Sequence, residues 1–183
     1  DAEFDIRRLK DVVKVAVKAL NDVLDEGLPL HPLQIQRDCV RDWRQIGLGI
    51  MGLGDALIKL GIKYGSEKAV EFSRKISTVI LETAVLASSE LAKEFGSFPM
   101  FDTEKTIASS LGQRLPDYIK QSIRINGLRN SQLLTIAPTG TLATMLGISS
   151  GIEPHFALSY TRKTESLHGK DEYYNIYAPI AQN

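Results

Sequence analysis

Cysteine occurs once in the 183 residues, at Cys39, which excludes an internal disulfide framework and a thiolate cage around a metal. Net charge is missing too. The 22 Lys and Arg are balanced by 22 Asp and Glu, so no global field would hold the chain on nucleic acid or on an anionic membrane. No apolar run reaches the ~18 residues of a spanning helix. His31, His155 and His168 are scattered without metal-ligand spacing, so no metal site is expected. Internal repeats, low-complexity tracts and linkers are lacking. So is an initiator Met or secretory signal at Asp1, and no stop signal follows the Tyr-rich stretch before Asn183. The expectation is a cytoplasmic piece of something longer, with no nucleic-acid or membrane partner.

What is present has the balance of a folded protein. Hydrophobic residues are 43% and charged residues 24%, which rules out general disorder, and the length suits one ordinary domain. Ile6, Leu9, Val12, Val13, Ala16, Val17, Leu20, Val23 and Leu24 recur at helical spacing and predict an amphipathic helix that Gly27 and Pro29 stop. A weaker helix is predicted over Ile35 to Trp43, and a short one over Asp55 to Leu60. Ser66 opens the longest helix, which Gly96 and Pro99 end; its Ala84, Ala87, Ser88 and Ala92 are small enough for a neighbouring helix to come close. Two shorter helices are predicted between Phe101 and Gly127. Leu133 to Ala137 and His155 to Thr161 are β-prone, Leu142 to Ile148 reads as a turn or two of helix, and Tyr173 to Ile180 is aromatic and marginal. Helices dominate and strands are few.

Gly47-x-Gly49-x-x-Gly52 has the spacing of a dinucleotide fingerprint, as in a nicotinamide-dependent oxidoreductase. That chemistry needs a buried strand before the first glycine. Arg41, Asp42, Trp43, Arg44 and Gln45 cannot make one, and close packing against the glycine backbone is the favoured reading.

Ala137-Pro-Thr-Gly-Thr141 follows a β-prone run and precedes a helix start. Outward N–H groups, the helix dipole, Gly140 and the hydroxyls of Thr139 and Thr141 would suit an anion. No Lys or Arg lies in the loop, so amides and hydroxyls would meet the charge. An ordinary N-cap by Thr139 or Thr141 is the alternative. In Ser149-Ser-Gly-Ile-Glu-Pro154, Gly151 marks a turn, and Glu153 is expected to orient backbone rather than to bind ligand. Cys39, among Arg37, Asp38 and Arg41, is read as structural, and Tyr173, Tyr174 and Tyr177 as packing residues.

These segments occur in a familiar order. Arg44-x-Ile-Gly-Leu-Gly-Ile-Met-Gly-Leu-Gly-Asp55, Leu128-Arg-Asn-Ser131, Leu-Thr-Ile-Ala-Pro-Thr-Gly-Thr141 and Ser-Ser-Gly-Ile-Glu-Pro154 together resemble the large catalytic subunit of ribonucleotide reductase. The resemblance covers essentially the whole chain and a middle-to-late part of that subunit. It implies an α/β fold class: residues 1–183 would be one segment, an incomplete domain, of a ten-stranded α/β barrel. It implies thiyl-radical reduction of ribonucleotides to deoxyribonucleotides in the full enzyme. The family's radical cysteine stands in an Asn-x-Cys-x-Glu motif that this chain lacks, and the reducing cysteine pair is also missing. No catalytic residue is therefore expected here.

What the resemblance carries over is the substrate phosphate loop, Pro138, Thr139, Gly140, Thr141 and Leu142, with Leu142 able to offer only its backbone. Ala157-Leu-Ser-Tyr-Thr-Arg162 and the Lys-Thr-Glu-Ser-Leu-His-Gly that follows resemble the adenosylcobalamin-dependent type. The cofactor implied for the full enzyme is adenosylcobalamin, with none bound by this piece alone. The partners implied are a ribonucleotide and the remainder of the barrel, and self-association is expected of the piece by itself. A nicotinamide-dependent oxidoreductase, or a helical interaction module without catalysis, are the alternatives.

Overall fold

The structure is a computed structural model that describes residues 2–165, 169 and 171–181. In chain order the helices are α1 (Ile6–Gly27), α2 (Gln34–Trp43), α3 (Leu53–Lys59), α4 (Glu67–Phe95), α5 (Thr103–Ala108), α6 (Ser110–Arg114), α7 (Asp117–Asn126) and α8 (Gly140–Leu146). The strands are β1 (Ser159–Glu165) and β2 (Asp171–Tyr177), an antiparallel pair in which Ser159 faces Tyr177 and Glu165 faces Asp171. A mainly helical segment with few short strands is thus what the sequence folds into. Among the described residues no helix is long and apolar enough to cross a membrane.

Two compact units are present. One comprises Phe4–Leu48 and Glu71–Thr135, the other Asp1–Glu3, Gly49–Val70 and Ile136–Asn183. In the first of these, Asp5 caps α1 by accepting the Arg8 N–H at 2.9 Å. The buried row of α1 is Val13, Val17 and Asn21, each four residues from the last. The expected stripe is wider than this row, since Val12 and Val23 are 57% and 67% exposed.

The small residues of α4 do what their size allows. Ala84, Ala87, Ser88, Ser89 and Ala92 are buried, and the Ser89 hydroxyl meets that of Ser122 on α7 at 2.8 Å. Val85, Phe98, Leu115, Ile119, Ile123 and Leu128 form the apolar core beside that contact. Phe98 and Phe101 meet edge to face, with ring centroids 5.4 Å apart. Three helices, not two, occupy Phe101 to Gly127. Extended Ser109 ends α5 and caps α6 by accepting the Gly112 N–H at 3.0 Å.

Polar groups in this unit are buried in pairs. The Asn130 N–H donates to Ser88 Oγ at 3.1 Å, Ser88 Oγ donates to Asn130 Oδ1 at 3.1 Å, and Asn130 Nδ2 donates to the Arg44 carbonyl at 3.1 Å. Arg44 Nη2 in turn reaches Asn21 Oδ1 at 2.9 Å and Asp25 Oδ1 at 2.7 Å. The Arg44 and Leu128-to-Ser131 motifs are therefore read here as a buried tie between α1, α4 and the segments after α2 and α7.

The β-prone run at Leu133 forms only a bridge, Leu48 paired in parallel with Leu134, with the Leu48 N–H on the Leu133 carbonyl at 2.8 Å. The second run forms a strand four residues later than expected, because β1 takes in the polar residues Arg162 to Glu165. An exposed two-stranded ribbon is held by cross-strand pairs rather than by an apolar face. Lys163 Nζ lies 2.7 Å from Asp171 Oδ2. Tyr173, Tyr174 and Tyr177 are exposed on β2 rather than packed, and the Tyr174 hydroxyl donates to the Glu172 carboxylate.

Candidate functional site

The unit containing Ile136–Asn183 holds the predicted anion loop. Thr139 takes the N-cap position of α8, and the first intrahelical bond is the Ala143 N–H on the Thr139 carbonyl at 2.8 Å. The N–H groups of Gly140, Thr141 and Leu142 precede that bond and lie in the orphan first turn. Pro138, Gly140, Thr141 and Leu142 are exposed, and nothing stands within 4 Å of where a Gly140 side chain would begin. The loop therefore brings all five residues together at an open helix start.

Thr139 does not act as the side-chain cap that was the alternative reading. No side-chain cap bond forms on α8. Thr139 Oγ1 instead accepts the Gly151 N–H at 3.0 Å and lies 3.3 Å from Ser150 Oγ. The loop and the Ser149–Glu153 turn are thus joined through Thr139. Glu153 contributes backbone, as expected: its N–H donates to the Ser150 carbonyl at 2.9 Å while its side chain is exposed.

The far side of that turn rests on α3. The Gly52 N–H donates to the Ser149 carbonyl at 2.9 Å. A Cβ on Gly54 would stand 3.0 Å from Ser149 Oγ and 3.1 Å from the Glu153 carbonyl, so a side chain there would push the turn back by a few tenths of an ångström. Asp55 Oδ2 accepts the Ser149 N–H at 2.6 Å, and Asp55 Oδ1 lies 3.1 Å from His155 Nε2. An ionised carboxylate only accepts, so Nε2 carries the hydrogen. Burial alone would push the Asp55 carboxyl up. The Ser149 N–H, the His155 ring and the Ser149 side chain outweigh it and hold the carboxyl below the usual carboxylate range.

Sequence reasoning missed two features of this site. Arg162 on β1 donates from Nη1 to Thr144 Oγ1 at 3.3 Å, and Thr144 Oγ1 donates to the Gly140 carbonyl at 2.8 Å. A cation therefore borders α8 although none lies in the loop, and only the tertiary contact of β1 with Thr144 reveals it. Asp55 was also passed over. Its signal is a lone carboxylate among Leu53, Ala56 and Leu57, in a helix whose one other charge is Lys59.

The glycines at 47, 49 and 52 do not form a dinucleotide site. The helix α2, not a strand, runs up to Arg44, and α3 has only seven residues. A Cβ on Gly47 would meet Thr135 Cγ2 at 3.0 Å, which is the close packing expected of it. Cys39 is free and exposed on α2. His31 is half-buried after a 3₁₀ turn, and His168 lies outside the described residues. Among the described residues no group of three or more His, Cys, Asp or Glu side chains is placed to hold a metal ion.

Comparison with known proteins adds to this geometry. A family model described as ribonucleotide reductase, barrel domain, matches residues 1–180. A vitamin B12-dependent ribonucleoside-diphosphate reductase of Mycobacterium tuberculosis (strain ATCC 25618 / H37Rv) is 39% identical over 168 residues, covering 92% of this chain and 21% of the relative. One of the same name from Thermoplasma acidophilum is 38% identical over 169 residues, covering 92% of this chain and 20% of the relative. A ribonucleoside-diphosphate reductase subunit alpha of Chlamydia pneumoniae is 32% identical over 197 residues, covering 96% and 18%. The chain spans about a fifth of the length of these relatives. Neither a nicotinamide-dependent oxidoreductase nor a helical interaction module finds support among these matches.

Proposed function

From the membership of this chain in the ribonucleotide reductase barrel-domain family, we propose that it is one segment, residues 1–183, of a catalytic barrel that reduces ribonucleotides to deoxyribonucleotides. Its part in that reaction is to hold the substrate's phosphates at Pro138, Thr139, Gly140, Thr141 and Leu142. The observation that carries this reading is the open first turn of α8. Three N–H groups there precede the first intrahelical bond, and two threonine hydroxyls flank them. Such a turn suits phosphate oxygens through its amides and its dipole, and Arg162 adds a cation one turn along. The remainder of the barrel supplies the reacting thiols.

Cobalamin is the cofactor proposed for the longer protein, on the names of the relatives from Mycobacterium tuberculosis and Thermoplasma acidophilum. Its chemistry there would be to generate the thiyl radical. The residues of this chain do not fit that task, since the one thiol, Cys39, is exposed on α2 and outside the family's Asn-x-Cys-x-Glu motif. The large apolar residues that the structure exposes, among them Met145, Leu146, Phe156 and Leu158, favour both contact with further barrel and self-association of the chain alone.

An amide NMR titration of the labelled chain with ADP tests the phosphate reading. The expected shifts are confined to Thr139 through Leu142 and their hydrogen-bonded neighbours. Shifts centred on Gly47 to Gly54 instead would revive a dinucleotide site and sink this one.

A further inference from the structure

Asp55 is 8% exposed, and a buried carboxylate is costly unless its lone pairs are filled. Here they are filled by groups from two ends of one segment. Oδ2 takes the N–H of Ser149, and Oδ1 takes the ring N–H of His155. A single side chain on α3 thereby fixes both the start and the end of residues 149–155. The middle of that segment is pinned separately, with the Tyr64 hydroxyl on the Ile152 carbonyl at 3.0 Å. What the segment then does is specific: the Gly151 N–H occupies an acceptor position of Thr139 Oγ1.

A threonine hydroxyl has one hydrogen and two acceptor positions. With an N–H already donating to its oxygen, its own hydrogen is turned away from Gly151 and is left for Ser150 Oγ, 3.3 Å away, or for an anion that displaces that contact. A phosphate oxygen can only accept from it. We propose that Asp55, together with His155, is a positioning residue: it sets the Gly151 N–H against Thr139 Oγ1, so that the Thr139 hydroxyl is presented to an anion as a donor. The consequence for binding rests on the phosphate-loop reading; the positioning of Thr139 does not.

The test uses Asp55→Ala, His155→Ala and His155→Gln in the full chain, read by amide NMR with and without ADP. His155→Ala removes the donor to Oδ1, whereas the Gln amide can still donate there. Expected for both alanine variants are shifts of the Ser149, Gly151 and Thr139 amides, with the Gly151 proton moving upfield as its bond is lost. ADP binding falls by roughly three- to tenfold. The Gln variant is expected to restore the Gly151 signal and most of the affinity. A purely fold-supporting role would not distinguish Gln from Ala in this way.

If Asp55→Ala does not fold, the two His155 variants decide. Unchanged Gly151 and Thr139 amides in His155→Ala overturn the proposal, and so do equal spectra for Ala and Gln. If ADP leaves Thr139 to Leu142 unmoved in the unaltered chain, the phosphate reading fails. The Gly151 and Thr139 amides of the variants still decide the positioning.

Discussion

At the scale of single residues, the buried charges are met by polar partners far away in the chain. Arg44 is 5% exposed and bridges Asn21 and Asp25, while Asn130 uses its amide to bind the carbonyl of Arg44. Asp55 is the acidic counterpart in the other unit, and its titration has a definite sign. Its carboxyl is held below the ordinary range in the folded chain, whereas an unfolded Asp titrates near ~3.9. The folded state therefore binds this proton less readily than the unfolded state. The resulting stabilisation is complete above about pH 4 and is lost as pH falls through the lower folded value. Urea unfolding followed by the Ser149 and His155 resonances should show a midpoint that drops as pH falls below about 4. In Asp55→Asn, which cannot ionise, that part of the drop should be missing. An identical acid profile in the two proteins would remove Asp55 from this role.

At the scale of elements, helices were legible in the sequence wherever a local signal set their ends. Ser66 caps α4 through its hydroxyl, accepting the Ala69 N–H at 3.2 Å, and Gly27 ends α1 as expected. The run of small residues on α4 announced the close contact at Ser89 and Ser122. Ser109 was harder, because one extended serine both ends α5 and caps α6, and the sequence on either side keeps its helical character. The strands were the least legible. Leu133 to Ala137 has the composition of a buried strand, yet its pairing is a single bridge to Leu48, made through the Leu133 carbonyl and the Thr135 N–H. Composition records what suits a sheet; it does not say whether a second strand is present to pair with. The hairpin inverted the error, since Arg162, Lys163 and Asp171 join it through pairs that no apolar periodicity marks. The site itself was half legible. Pro138 to Leu142 could be placed at a helix start from local residue types alone. Asp55 and Arg162 act on that loop's surroundings across about 90 and 20 residues of chain, respectively, and only tertiary pairing brings such partners to light.

At the scale of the whole molecule, the arithmetic of sulfur bears on what the chain can do alone. Reducing a ribose takes two electrons, which in the resemblance described above come from a cysteine pair, with a third cysteine forming the radical. This chain has one thiol in all, Cys39. Even a fully occupied phosphate loop would then hold a nucleotide on a chain with too few thiols both to form the radical and to supply the two electrons. The purified chain is expected to form no deoxyribonucleotide when supplied with ADP or ATP, adenosylcobalamin and a dithiol reductant. It is also expected to sediment as a concentration-dependent mixture, because Phe156 is 89% and Met145 74% exposed and exposed apolar surface of this kind favours association. The two measurements belong on one preparation. An inactive chain that still gives ADP-induced shifts at Thr139 to Leu142 would separate phosphate binding from chemistry, as the proposed division of labour requires. Deoxyribonucleotide formed in proportion to chain concentration, and abolished by Cys39→Ser, would show that one thiol suffices and would overturn that division.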